Sequence, residues 1–372
     1  MSQLPINSED AVEYRNFFQN LINSGHHFLF SFHENPDPDS IGSNLAFALV
    51  LKVLGKEPIV VWGPSGPQAE FNYLSQYIDQ VGVFNAKVSE TIKDSPRVNT
   101  LVMLDSATSE RIGLSNRDIL NFGPEIKSVF AIDHHAGNDM SAIRLERKLI
   151  KTHMSSTCEM LAKMFYLYDP KLLTPEVCEL LKVGMWSDTG GFTYSSATSE
   201  AFSWFNMLIQ INSSLVLIQT MERSKTLIDL AIGKKIMEQL DVFKYQDILC
   251  GIVVMDQKTI DDAAYFQFTK HIPKDQLDFE ANQSPHLAVD LLDRYGDIDV
   301  LFIAFAYKKN GKQSYRISVR SYGEKGNGLT KMIAEQFGGS GHHNAAGGQF
   351  LEEDKYLITT KIMNAINIKK NK

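Results

Sequence analysis

The stretch His26–Leu54, HHFLFSFHENPDPDSIGSNLAFALVLKVL, decides how this chain folds. Its opening residues HHFLFSF are too short for a helix and too continuously apolar for a half-exposed strand. They read as a strand buried on both faces, as in a parallel sheet. From Ser43 to Leu54 the apolar residues return at helical spacing, and Gly42 reads as the point where the chain turns into that helix. Asn35-Pro36-Asp37 between them is a turn sequence. The unit is therefore strand, polar loop, helix, and the loop carries His33, Asp37 and Asp39.

Two further runs repeat the pattern: TLVMLD ends on Asp105, and SVFAIDHH ends on Asp133, His134 and His135. A fourth segment, Trp186-Ser187-Asp188-Thr189-Gly190, carries Asp188, which is expected, like the others, to close an apolar, β-rich run. Ligands of open α/β sheets gather at the carboxyl ends of the strands. Carboxylates crowded there repel one another unless cations compensate them, so the cluster points to metal. An Asp at a strand end is by itself often a turn former, and a His-His pair occurs by chance. All four segments together are what carry the metal reading. Mixed carboxylate and imidazole ligands suit Mn2+, whereas Zn2+ sites more often recruit thiolates, and none of Cys158, Cys178 and Cys250 lies in these motifs.

These residues resemble the DHH phosphoesterase superfamily. The pattern H-x-N-P-D-x-D-x-x-G-S is present from His33 to Ser43, D-S at Asp105-Ser106, D-H-H at Asp133 to His135, and the last acid at Asp188. A second signature, Gly339-Ser340-Gly341-His342-His343-Asn344-Ala345-Ala346-Gly347, resembles the glycine-rich element of the DHHA1 domain, with Ser340 where that element has its middle glycine. Size and arrangement are most similar to bacterial oligoribonucleases (nanoRNases) that also remove the 3′-phosphate from pAp. The resemblance implies an α/β fold: an N-terminal DHH domain with a mainly parallel sheet flanked by helices, a helical connector and a smaller α/β DHHA1 domain. We place these at residues 1–205, 206–240 and 241–372.

The resemblance also implies the division of labour. His33, Asp37 and Asp105 would hold one metal, and Asp39, Asp105, His134 and Asp188 the other, with Asp105 shared. The expected cofactor is two Mn2+, with Mg2+ or another divalent ion as substitute, and the attacking hydroxide arises between the two ions. His135 is the candidate for contacting the scissile phosphate or protonating the leaving group, and Asp133 for fixing an imidazole tautomer.

Bulk properties agree. A chain of 372 residues exceeds the size at which single cores stop growing, so more than one domain is expected. The N-terminal residues lack a basic start followed by an apolar core, and no apolar run is long enough to span a bilayer, so a cytoplasmic location is expected. Three scattered cysteines without C-x-x-C spacing argue against disulfides and zinc ribbons. Residues 1–200 carry 16 Lys and Arg against 24 Asp and Glu, whereas residues 301–372 carry 12 against 5. The acidic half suits metals and the basic end suits phosphates. With a net charge of −7, small nucleotides or short oligoribonucleotides fit better than long nucleic acid, which calls for a broader basic stripe. A homodimer is left open.

Beyond the first domain, Ser156-Thr157-Cys158-Glu159 reads as a capping box and Thr174-Pro175 as the start of a helix leading towards Asp188. New β-rich runs follow at residues 248–254, 300–307 and 315–319. Leu329 to Phe337 reads as a helix that Gly338-Gly339 would end. The attached histidines and small residues turn that cap into a candidate anion site, so Gly339, Gly341 and His342 are taken as substrate-binding, with Arg320 and Ser321 as a phosphate fork at a strand end. His26, His27, His153, His271 and His286 have no partner at ligand spacing and are assigned to structure or surface. Three other functions use related motifs. These are cyclic- or linear-dinucleotide phosphodiesterases acting on c-di-AMP or pApA, inorganic pyrophosphatases, and non-catalytic nucleotide sensors.

Overall fold

The computed structural model describes residues 4, 6–33, 36–63, 66–67, 69–95, 97–106, 108–115, 126–135, 147–194, 196–223, 227–256, 298–309, 312–321, 323–326, 328–341, 345–351 and 355–370. The chain divides into two units, residues 1–224 and 225–372.

The first unit is built on six strands: β1 (His27–Ser31), β2 (Glu57–Trp62), β3 (Phe84–Asn85), β4 (Thr100–Leu104), β5 (Ser128–Asp133) and β6 (Lys148–Ile150). They lie in the spatial order β3-β2-β1-β4-β5-β6, and every neighbouring pair is parallel. Eight helices accompany them among the described residues: α1 (Ser8–Asn23), α2 (Pro38–Val53), α3 (Ser75–Val81), α4 (Val88–Asp94), α5 (Thr157–Tyr168), α6 (Pro175–Asp188), α7 (Ser199–Ile211) and α8 (Val216–Glu222). Alternate strand residues feed two apolar clusters. Phe28, Phe30, Val102, Leu104, Phe130 and Ile132 join one, with α1, α2, α5 and α6. Leu29, Leu101, Met103, Val129 and Ala131 join the other. Burial on both faces is the reason the strand sequences read as continuous apolar runs. In this doubly wound order the chain reverses its direction of growth between β1 and β4, and the crevice outside those two carboxyl ends is where such sheets bind ligands.

Two expectations about helices change. Helix α2 begins at Pro38, not near Ser43. Asp37 is its N-cap, its carboxylate accepting from the Ser40 amide at 2.9 Å, and Pro38 occupies the first turn. Gly42 therefore lies inside the helix, where a Cβ would come within 2.6 Å of the Leu180 carbonyl oxygen. Its role is close helix packing, not a turn. Asp188 ends helix α6, as the helix start at Thr174-Pro175 implied, so the run it closes is helical and not β-rich.

The expected connector over 206–240 also looks different. Trp204, Leu208, Leu217 and Ile218, from α7 and α8, are buried in the first unit's own core, and the division falls after residue 224. Helix α9 (Leu227–Gln239) opens the second unit. Its six strands are β7 (Asp241–Tyr245), β8 (Ile248–Met255), β9 (Val300–Lys309), β10 (Lys312–Ser321), β11 (Ser340–Gly341) and β12 (Ala345–Leu351). They are ordered β11-β12-β10-β9-β8-β7, antiparallel except for β8 with β9. Helices α10 (Gly323–Gly326), α11 (Leu329–Glu335) and α12 (Lys355–Lys370) accompany them among the described residues, and Leu329, Ile333, Ile362 and Ile366 pack with the strands in a separate core. No described helix is long and apolar enough to cross a membrane.

Candidate metal centre

Each site residue arrives on a rigid element. His33 follows β1, Asp105 follows β4, Asp133 ends β5, Asp37 and Asp39 start α2, and Asp188 ends α6. Asp105 has a left-handed backbone, φ 53°, which Asp tolerates better than most residues. Its amide still donates to the Ile132 carbonyl at 3.1 Å, so the sheet ladder holds it up to the point where the chain turns away.

The structure gathers these side chains into overlapping groups around Asp105 and His134, one of them joining Asp105 to Asp133, His134 and His135. Ligand atoms of His33, Asp37 and Asp105 lie within 4.8 Å of one another, as do those of Asp39, His134 and Asp188. Asp105 spans the two, with Oδ1 3.5 Å from His134 Nε2 and Oδ2 3.9 Å from His33 Nε2. His134 Nε2 also lies 3.1 Å from Asp188 Oδ2 and 4.0 Å from Asp39 Oδ2. His135 is turned to a different partner: its backbone amide and Nδ1 both bond Asp133 Oδ1, at 2.9 and 2.8 Å.

The electrostatics of this cluster fit a divalent cation. Burial, with Asp37 and Asp39 nearby, raises the Asp105 carboxyl to about 7. Burial and Asp39 push Asp188 well above the carboxylate range. Asp39 is raised by burial too, against the attraction of His134. Burial alone would lower the His134 imidazole, but Asp105 and Asp188 outweigh it and lift it to about 12, so a proton stands where a cation fits. Burial lowers His33 to about 4, opposed by Asp37 and assisted by Arg111, which keeps it in the neutral form that ligates metal. Asp105 Oδ2 is buried and completes no hydrogen bond, and the polar partners facing His134 Nε2 are carboxylates. An orphaned carboxylate oxygen is costly in a protein interior, and a divalent ion satisfies it while replacing the proton on His134. The residues therefore fit a divalent-metal centre, rich in oxygen donors with two imidazoles.

Several contributors were not legible from the motifs. Asp39 is held by the first turn of α5, accepting from the amides of Thr157 at 2.7 Å and Cys158 at 2.9 Å, where the helix dipole also favours its charge. The Thr157 hydroxyl donates to Asp105 Oδ1 at 3.2 Å. The Ser156 hydroxyl caps this helix by accepting from the Glu159 amide, but the Glu159 carboxylate turns to Ser155, so only half of the expected capping box forms. Arg111, in the short turn Ser109–Ile112 after β4, places Nη2 3.2 Å from both ring nitrogens of His33.

Gly184 on α6 faces Asp39, and a Cβ there would stand 2.4 Å from Cys158 Sγ, 2.5 Å from Asp39 Oδ1 and 2.9 Å from Asp39 Cα. Gly184→Ala is expected to destabilise the fold by roughly 1 to 3 kcal/mol, the usual cost of overpacking, and to displace Asp39. Thermal melting with and without Mn2+ checks this: the variant should melt lower and gain less from the metal than the wild type.

The second-unit candidates are separately built. Arg320 and Ser321 end β10, and the Thr330 hydroxyl donates to Ser321 Oγ at 2.6 Å. After α11, Gly338 turns left-handed at φ 70°. The Gly339 amide donates to the Ala334 carbonyl, and a Cβ on Gly339 would meet the Gly347 carbonyl oxygen at 2.3 Å. Close approach of two backbones thus accounts for glycine at 339. Gly341 pairs with Ala346 on β12, and His342 lies outside the described residues.

A family model described as "DHH family, N-terminal domain" matches residues 27–185, which include every first-unit candidate except Asp188. The chain carries a DHH-family N-terminal domain over those residues. It is 24% identical over 338 residues to the bifunctional oligoribonuclease and PAP phosphatase NrnA of Thermus thermophilus, covering 90% of this chain and 87% of that protein. Among solved structures, an exopolyphosphatase-related protein from Bacteroides fragilis has the same fold, with a TM-score of 0.74 at 18% identity over 99% of both chains. RecJ of Thermus thermophilus, solved in complex with Mn2+, aligns with a TM-score of 0.50 at 11% identity, covering 98% of this chain and 55% of RecJ.

Proposed function

We propose that this DHH-family enzyme hydrolyses short oligoribonucleotides to mononucleotides and removes the 3′-phosphate of pAp, using two Mn2+ ions. The observation that carries the substrate is the similarity to a protein named for both activities over 90% of the chain. Asp105, grouped with His33 and Asp37 and with one oxygen 3.5 Å from His134, supports the ion count. RecJ, which shares the fold, holds Mn2+ in its crystal.

His33, Asp37 and Asp105 would hold one ion, and Asp39, Asp105, His134 and Asp188 the other. Bound there, the ions supply Lewis acidity and the activated water that attacks phosphorus in line. His135, oriented through Nδ1 by Asp133, directs Nε2 chemistry to the proton of the leaving oxygen. In the second unit, Arg320 with Ser321, and the element from Gly339 through Gly341 to His342, serve the substrate's other phosphate and sugar groups, Gly339 by shaping the turn.

Arg111 is the cation at the reacting phosphate in this reading. A guanidinium 3.2 Å from a metal ligand would repel a dication unless an anion lay between them, and a phosphoryl group offers the oxygens for its fork. Arg111→Ala should lower kcat/KM by roughly 100-fold, the size of one lost charge-assisted contact in the transition state, while metal content stays at the wild-type level. Metal loss in that variant would make Arg111 a support for His33.

The function itself is tested by a substrate panel with Mn2+, read by product chromatography on pAp, oligoribonucleotides of two to five residues, pApA and c-di-AMP. AMP from pAp and mononucleotides from the short RNAs are expected as the fastest products. Faster turnover of c-di-AMP or pApA would replace this reading with a dinucleotide phosphodiesterase.

A further inference from the structure

Strand β1 carries a second cluster at its other end. Its carboxyl end leads to His33, whereas its amino end begins at His27, roughly 20 Å away for six extended residues. The parallel register sets His27 opposite Glu57 of β2. Glu57 Oε2 lies 3.1 Å from His27 Nδ1, and Oε1 lies 3.4 Å from His26 Nε2. The two imidazoles stand edge to face, with ring centroids 5.0 Å apart and planes at 86°. One ligand atom from each of the three residues falls within 4.8 Å of the others. These histidines have no partner at ligand spacing along the sequence. The partner comes from the neighbouring strand.

We propose that His26, His27 and Glu57 form a surface site for a borderline divalent transition ion, Zn2+ or Co2+ by class, distinct from the catalytic centre. Bonds of about 2.0 to 2.1 Å in a tetrahedron put neighbouring ligand atoms roughly 3.3 Å apart, and each imidazole already has a Glu57 oxygen near that spacing, Oε1 for His26 and Oε2 for His27, so a small carboxylate rotation presents one oxygen to both. The ligands are also pre-set. The Glu57 amide donates to the His26 carbonyl at 2.9 Å, and the Asn99 amide to the His27 carbonyl at 3.2 Å, so the sheet holds both histidine backbones. Two nitrogens and one carboxylate favour later first-row ions, whereas the oxygen-rich catalytic cluster suits Mn2+. The exposure of His26 and Glu57 leaves the remaining coordination position to water.

The competing account is an ordinary surface pairing of imidazole with carboxylate, and metal stoichiometry separates the two. Tag-free protein is titrated with Zn2+ against a chromophoric chelator, as wild type, His26→Ala, Glu57→Gln and Asp105→Ala. His26→Ala and Glu57→Gln should each bind one equivalent fewer than wild type while keeping wild-type Mn2+-dependent turnover. Asp105→Ala should retain that equivalent although its catalytic centre is lost, so the outcome is independent of the proposed substrate. Equal Zn2+ stoichiometry in wild type and in both surface variants overturns the site. Glu57→Gln preserves side-chain shape, so a folding defect does not mimic the result.

Discussion

Asp105→Ala is expected to remove both divalent ions and to lower turnover by roughly 10,000-fold or more, since about 5 kcal/mol of transition-state stabilisation depends on the ions it shares. Asp105 faces both ligand groups: one oxygen sits near His134 and His135, and the other is turned towards His33. Without it, Asp37 and Asp39 would repel across an empty gap and neither group keeps a complete ligand set. Alanine also removes a residue type suited to φ 53°, so Asp105→Asn is the sharper variant. Asparagine tolerates the left-handed region and keeps the shape while deleting the charge. Metal content by emission spectroscopy, melting temperature and turnover are measured together. The asparagine variant should fold, bind little metal and be inactive, and a metal-replete, active form would remove Asp105 from the bridging position.

His135→Ala has the second-largest expected effect and a different signature: turnover falls by roughly 100-fold or more while metal content stays near wild type. The reason lies in which atom each imidazole presents. His134 Nε2 points into the carboxylate cluster, whereas His135 is tied by both its amide and Nδ1 to Asp133, whose carboxyl the same contacts keep below its usual range despite burial. An Nδ1–H held on a carboxylate fixes the tautomer and leaves Nε2 as the atom that exchanges protons. Asp133→Asn should therefore reproduce part of the loss without touching the ions. His135 Nδ1 is also 3.4 Å from Asp105 Oδ1, near enough for a ligand role. Equal metal depletion in His135→Ala and His134→Ala would assign it that role and leave the proton transfer to another group.

The parts of the site legible in the sequence are those whose signals are local. A buried parallel strand must be continuously apolar, and a ligand at its carboxyl end must interrupt that run with a charged residue, so His33, Asp105 and Asp133-His134-His135 stand out as punctuation. Asp188 stands out for the same chemistry, but its element is a helix, and a short apolar run before an acid does not distinguish the two. The start of α2 was hidden for a related reason. Asn-Pro-Asp reads as a turn, and Asp37 serves both as the end of that turn and as the cap that begins the helix.

What the chain determined by itself is the α/β architecture, the family and the identity of the charged side chains, because strand periodicity, turn chemistry and ligand type are written over a few consecutive residues. The tertiary structure alone decided which charges meet. The β1–β4 pairing sets His33 beside Asp105, the amide ends of α5 hold Asp39, and the α2–α6 crossing demands glycine at 42 and 184. It also brought Arg111 to His33 and Glu57 to His26 and His27. Each of those contacts joins residues far apart in sequence, and their packing distances have no local signature until the sheet closes around them.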